Sequence, residues 1–311
     1  MTANDLSFNS LWLEYDKFKK LKLKEQSYRK IKNLAINHIV PFFKDMKVVD
    51  IDAKAVVNWM SEIEKQGYSN SYKKSLHSEL VTILNYAVKF YGLKDNVASK
   101  VGGFNTRKVN EQKKINFYTL EEFKKFINVI ENPIYKLLFK TLYFTGLRIG
   151  ECLALNWNDF DSKYLHITKS LSKEKFGDEA YHFNTPKTKS SVRDIYLDEN
   201  LIHELNELKK SQQLKEGFEN NWFIFGEQKP LSQTTVSRRR DEYSKLANIK
   251  KIRLHDFRHS HATLLVSLGT PIPIVSQRLG HSDYAMTFNT YVHLYPKNEG
   301  ELIDKLNSIN C

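Results

Sequence analysis

Between residues 99 and 116 the chain abandons helical spacing of apolar residues and turns to glycine and lysine, from Ser99-Lys100-Val101-Gly102-Gly103 to Lys113-Lys114. A stretch that offers no apolar face to bury reads as a linker. The chain is therefore expected to fold as two bodies: residues 1–107, a linker at 108–116, and residues 117–311. With 311 residues and 41% hydrophobic content, each body has the means to build its own core.

The first body reads as helices throughout. Residues 6–22 carry Leu6, Trp12, Leu13, Phe18 and Leu21 at a loose helical spacing. Residues 25–40 place Tyr28, Ile31, Leu34, Ala35 and Ile39 on one stripe, which Pro41 is expected to end. Asp52 is a suitable N-cap for a helix holding Val56, Val57, Trp59, Met60 and Ile63, closed by Gly67. Ser69 then opens a fourth helix whose apolar face is Leu76, Leu80, Ile83, Leu84, Ala87 and Val88.

The second body opens on Thr119-Leu120-Glu121-Glu122, a capping box. Pro133 starts a helix that ends at Gly146. Residues 164–170, 180–183 and 192–197 alternate and carry β-branched or aromatic side chains, so strands are expected there. Helical spacing returns at about 199–215, 233–247, 256–268, 271–279 and 284–294, and a short amphipathic segment follows at 301–306. The expected fold is mainly α, with a small antiparallel β-sheet embedded in an α+β second domain.

The formal net charge is +12, which points to a polyanionic partner. Residues 1–110 hold 19 Lys and Arg against 11 Asp and Glu, a larger surplus than the remainder carries. No apolar run reaches eighteen residues, and Met1-Thr2-Ala3-Asn4-Asp5 lacks the basic start and apolar core of a signal peptide. Cys152 and Cys311 form no CxxC, and Cys152, in an apolar stretch, reads as a small core residue in a reducing cytoplasm.

Chemistry concentrates between His255 and Tyr291. The stretch reads His255-Asp256-Phe257-Arg258, then Leu279-Gly280-His281, then Tyr291. A phenol can attack a phosphodiester, a guanidinium can grip the phosphate charge in a bidentate way, and an imidazole moves protons near neutral pH. Taken singly, each has an ordinary alternative: Tyr291 as one packing tyrosine of 16, Arg258 as a surface residue, His255 as a helix cap. His255 and His259 stand at i, i+4, but no HExxH pattern and no cysteine cluster accompany them, so a metal site is not expected. No cofactor is implied either.

Upstream, Arg148 lies in Thr145-Gly146-Leu147-Arg148-Ile149-Gly150-Glu151, with Glu151 at i+3. The pair is either a plain surface ion pair or an arginine oriented by a carboxylate so that its fork faces a phosphate. Lys187, in Thr185-Pro186-Lys187-Thr188-Lys189, falls between two strand-like segments. It is either part of a solvated hairpin or a proton donor to a leaving oxygen.

In this order, the TGLRxxE segment with Arg148, the hairpin Lys187, the HxxR pair His255 and Arg258, the LGH segment with His281 and the final Tyr291 resemble the tyrosine recombinases of the phage-integrase family. The resemblance spans about 145 residues, and the helical first body is similar to the core-site-binding domain of integrases. It implies a site-specific DNA recombinase that integrates or excises a mobile element without metal or ATP. Tyr291 would form a 3′-phosphotyrosyl link, Arg148 and Arg258 would bind the non-bridging oxygens, and His281 would hydrogen-bond the phosphate. His255 would assist proton transfer from the phenol, Lys187 would protonate the leaving 5′-oxygen, and Glu151 would support Arg148. Lys169, Lys173, Lys175 and Lys189 compete with Lys187 for that last position.

The same resemblance implies double-stranded DNA as partner, four protomers on two duplexes, and accessory DNA-bending or excision proteins. Many integrases carry an arm-binding domain ahead of the core-binding one, whereas here the core-binding pattern begins almost at Met1. The segment 301–306 either docks on a neighbouring protomer or packs on its own domain. Two other functions stay open: relaxation of DNA in the manner of type IB topoisomerases, and DNA binding without catalysis on the same fold.

Overall fold

The computed structural model describes residues 2–105, 115–172, 181–184, 189–292, 303 and 307–309. The chain divides into two compact units, Met1–Gln112 and Lys113–Cys311. Lys187, most of the 108–116 linker, Ala180 and the 301–306 segment apart from Ile303 lie outside the described residues.

In the first unit, α1 (Phe8–Lys22) starts where the Ser7 hydroxyl accepts the Ser10 amide at 3.2 Å. Its buried face is Phe8, Leu11, Trp12 and Tyr15, while Leu13 and Leu21 face solvent, so the loose spacing seen in the sequence merged two faces. Pro41 does not end the next helix. α2 (Glu25–His38) stops short of it, and Pro41 sits in the first turn of α3 (Val40–Phe43), where its missing N–H costs nothing. α4 (Ala53–Lys65) is capped by Asp52, whose Oδ1 accepts the Ala55 amide at 2.7 Å. α5 (Asn70–Tyr91) is capped by Ser69, and α6 (Val97–Val101) follows. Leu34, Ala35, Trp59, Leu76, Leu80, Ile83 and Leu84 close the core of this unit. Two polar groups are satisfied inside it: Trp59 Nε1 donates to the His38 carbonyl at 2.7 Å, and Tyr15 donates to Glu79 Oε1 at 2.7 Å.

In the second unit α7 (Leu120–Asn128) begins with the expected reciprocal cap: the Thr119 amide donates to Glu122 Oε2 at 2.9 Å and the Glu122 amide to Thr119 Oγ1 at 3.2 Å. α8 (Pro133–Thr145) is capped by Asn132 and ends at Gly146. α9 (Ile149–Ala154) follows at once. The strands are shorter than the sequence suggests. β1 (Tyr164–Ile167) pairs antiparallel with β4 (Arg193–Tyr196), and β2 (Ser170–Leu171) with β3 (Phe183–Asn184). Five further helices complete the described part: α10 (Glu199–Gln213), α11 (Gln233–Leu246), α12 (Asp256–Ser267), α13 (Ile272–Leu279) and α14 (Tyr284–Tyr291).

α8 and α12 form the centre, with the Phe139 and Phe257 rings stacked at 5.3 Å and Phe126 edge-on to Phe139 at 5.0 Å. Each of these rings contributes about 1.5–3 kcal/mol by leaving water, which fixes the start of α12 against the middle of α8. Cys152 is buried in the same core. No helix among the described residues is long and apolar enough to cross a membrane.

Candidate active site

The packing of α12 on α8 brings two sequence segments together at Gly146. This residue has φ +67°, and a Cβ there would stand 2.6 Å from His261 Cδ2 and 2.9 Å from Leu279 Cδ2, so only glycine fits. Its carbonyl accepts Nη1 of Arg258 at 3.1 Å. His261 donates from Nδ1 to the Tyr143 carbonyl at 2.9 Å, which leaves its Nε2 to accept Arg278 Nε at 3.1 Å. The imidazole is thereby locked neutral, and burial first, then the Arg278 charge, holds its pKa down to about 3.

Arg258 is not the surface residue its type suggests. It is 2% exposed, and its Nη2 is buried with no hydrogen-bond partner among the described residues. Burial and then the Arg148 charge pull its pKa down to about 9. The guanidinium therefore stays charged at neutral pH and would gain from an anion placed against it.

Arg148 precedes α9, two residues beyond Gly146. Its Nη1 meets Glu151 Oε1 at 2.7 Å and its amide donates to Glu151 Oε2 at 2.9 Å. The plain surface pair is thus replaced by a buried carboxylate, since Glu151 is only 5% exposed. A second arginine, Arg193 of β4, grips the same carboxylate, with Nη2 to Oε2 at 2.9 Å and Nη1 to Oε1 at 3.3 Å. Burial alone would raise the Glu151 pKa; Arg193 and then Arg148 outweigh it and hold it below the usual carboxylate range. Arg193 also donates from Nε to the Arg278 carbonyl at 2.9 Å, tying the Glu151 cluster to the end of α13.

That end leads through Gly280, at φ +70°, into His281. A Cβ at 280 would approach the Ser190 carbonyl to 2.9 Å and Arg193 Cδ to 3.0 Å. His281 Nδ1 bonds Thr287 Oγ1 of α14 at 2.7 Å. Desolvation, then the charges of Arg258, Arg148 and Arg193, push its pKa down to about 4.

Tyr291 sits one turn beyond Thr287 and is 2% exposed. Its hydroxyl lies 2.5 Å from His259 Nδ1. Burial raises its pKa, and the nearby Arg258 charge pulls the other way. His255 is exposed at the mouth of this region, its ring set edge-on to that of His259 at 5.2 Å. Partial desolvation there, then His259 and Arg258, hold its pKa to about 4.

The structure therefore brings Arg148, His255, Arg258, His281 and Tyr291 into one cluster, each within electrostatic reach of Arg258. Lys187 falls outside the described residues. Among the competing lysines, Lys169 is already paired to Asp159 Oδ2 at 2.8 Å. No cluster of three or more His, Cys, Asp or Glu among the described residues is arranged to hold a metal ion. Three members of this cluster have no such role in the sequence: His259, which the sequence raised only as a metal ligand, Arg193 and Thr287. Two of them act through contacts distant in the chain, 32 residues for His259 with Tyr291 and 42 for Arg193 with Glu151, whereas Thr287 meets His281 six residues away. Only the RH doublet after the HxxR box offered a signal.

The sequence profile described as the phage integrase family matches residues 116–298, and that of the phage integrase N-terminal SAM-like domain matches residues 7–63. The chain belongs to the phage integrase family. The ICEBs1 integrase of Bacillus subtilis (strain 168) is 32% identical over 99% of this chain and 84% of its own length. The integrase of Staphylococcus phage L54a is 27% identical over 98% of this chain and 93% of its own. In structure, the Tn1549 transposon integrase in complex with a circular intermediate DNA superposes with a TM-score of 0.77 at 17% identity, over 98% of this chain and 100% of that one. Residues 75–356 of lambda integrase, a dimer bound to a COC′ core site, give 0.68 at 16% over 94% and 97%. These likenesses place the fold among the tyrosine recombinase integrases, as the motif order implied. The activity of the family is DNA cleavage and rejoining, and this integrase is a site-specific recombinase.

Proposed function

We propose that this integrase moves a mobile element by cutting and rejoining double-stranded DNA at specific core sites, through a covalent link between Tyr291 and a 3′-phosphate. The observation that carries this reading is the Tyr291 phenol on His259 Nδ1, within reach of the Arg258 charge, beside a buried guanidinium N–H without a partner. A scissile phosphate entering there would receive donors from Arg258 and Arg148 on its non-bridging oxygens and from His281. Glu151 and Arg193 would hold Arg148 in place. The phenol's proton would leave toward the histidine pair His255 and His259, and Lys187 would protonate the departing 5′-oxygen. The phosphotyrosyl bond conserves the energy of the broken phosphodiester, so rejoining needs no nucleotide hydrolysis.

Four protomers on two duplexes is the assembly that fits strand exchange, and lambda integrase has been seen as a tetramer on a Holliday junction. The helical first body, with its basic surplus, would supply phosphate contacts on the core site. The reaction belongs in the bacterial cytoplasm, where the DNA is.

The test is a suicide duplex spanning the integrase's own recombination site. Wild type should yield a covalent protein–DNA band, and Tyr291→Phe should abolish it while binding survives. A wild-type protein that binds the site and never forms the adduct would end this reading.

A further inference from the structure

We propose that His259 is a catalytic residue: its Nδ1 takes the proton from the Tyr291 hydroxyl as the phenol oxygen attacks phosphorus. This rests on Tyr291 being the nucleophile and names the partner that activates it.

The geometry isolates one acceptor. The Nδ1 atom stands 2.5 Å from the phenol oxygen, within hydrogen-bonding distance. Arg258, the cation near the phenol, carries donors only and can accept nothing. Asp256, the nearby carboxylate, is occupied: Oδ2 accepts the Arg253 amide at 2.7 Å and Oδ1 the Arg253 guanidinium at 2.8 Å. His255 stands a ring further out, edge-on to His259 at 5.2 Å. The groups facing His259 are thus Asp256 and Arg258 from its own helix, Arg253 and His255 before it, and Tyr291 from α14. Desolvation comes first among the causes that keep its pKa below the ordinary histidine value. The ring is therefore neutral at pH 7, and the tautomer with hydrogen on Nε2 presents a free Nδ1 lone pair to the phenol.

The step balances. The phenolic O–H bond breaks and its proton passes to Nδ1, giving an imidazolium. The phenol oxygen bonds to phosphorus, the bond from phosphorus to the 5′-oxygen breaks, and that oxygen leaves with the electron pair to be protonated by a separate ammonium group. In rejoining, the 5′-hydroxyl gives its proton back to the amine and bonds to phosphorus, the bond from phosphorus to the phenol oxygen breaks, and His259 returns its proton to that departing oxygen.

Single-turnover adduct formation on the suicide duplex tests this with the full chain. His259→Ala and His259→Asn should slow adduct formation by roughly 100-fold or more, with DNA affinity held within about twofold. Asparagine keeps a polar contact but cannot hold the proton. The wild-type rate should fall as pH drops through the depressed imidazole pKa, whereas the variants should lose that limb and climb steadily with pH. Added imidazole should partly rescue the alanine variant. A rate that is unchanged or faster in either variant, while wild type forms adduct normally, overturns the role of His259 and leaves Tyr291 as nucleophile untouched. Should the variants fail to fold, nitrogen-15 histidine spectra of the wild type decide it. An unprotonated Nδ1 on His259 upholds the assignment, and a protonated Nδ1 facing the phenol overturns it.

Discussion

Arg193 closes on Glu151 with both arms of its guanidinium, Nη2 to Oε2 at 2.9 Å and Nη1 to Oε1 at 3.3 Å. The carboxylate so held is the one that orients Arg148, and the same arginine anchors the carbonyl of Arg278, three residues before His281. One side chain of β4 therefore ties the Arg148–Glu151 pair to the end of α13 that leads into His281.

Replacing it by methionine should leave Glu151 buried with one cation in place of two. We expect Arg193→Met to cost about 3 kcal/mol in denaturant unfolding and to slow adduct formation at least tenfold. Adding Glu151→Gln should recover part of the stability, because the uncompensated charge is gone, without restoring cleavage. Strictly additive losses would show that the two residues are not coupled.

Thr287 bonds the imidazole of His281. If the hydroxyl donates to Nδ1, the neutral ring keeps its hydrogen on Nε2 and can donate it to a phosphate. Thr287→Val should then reduce adduct formation by roughly 10- to 100-fold, the worth of one hydrogen bond to a charged group, and Thr287→Ser should stay near wild type. Equal rates for valine and serine would mean that the hydroxyl does nothing for His281.

Gly146 accepts Arg258 through its carbonyl, in a backbone conformation that side chains resist. Gly146→Ala must also push a methyl into His261. A loss of at least about 2 kcal/mol in stability is expected, with adduct formation falling further than stability explains. Thermal melting and single-turnover kinetics on the same samples separate the two.

His261 supplies a pH dependence whose sign follows from its burial. Its folded pKa of about 3 lies below the unfolded value near 6.5, so the unfolded chain binds the proton first. The stability of the second unit should be complete above about pH 6.5 and decline as pH falls toward 3, by on the order of 5 kcal/mol from this residue. His261→Gln should flatten that decline in denaturation measured at pH 7 and pH 4.5.

What the sequence revealed was local. Asp52, Ser69 and the Thr119–Glu122 box act within one turn of themselves, and each caps the helix expected of it. Pro41 misled because a proline can end one helix or begin another, and only the packing of the next turn decides which. The stripe in α1 misled because exposed leucines are common and periodicity cannot tell them from core. Arg193 looked like any polar residue of a short strand, since its partner lies 42 positions away. His259 was weighed only as a metal ligand, since nothing within a turn of it displays the phenol that α14 delivers.

Arg258 holds one guanidinium nitrogen, Nη2, that nothing in the described protein answers. A guanidinium nitrogen so placed costs the resting molecule about 1–3 kcal/mol, which a phosphate oxygen reaching it would relieve. On the proposed role of Arg258, the resting site is incomplete away from DNA, and a duplex phosphate would finish it.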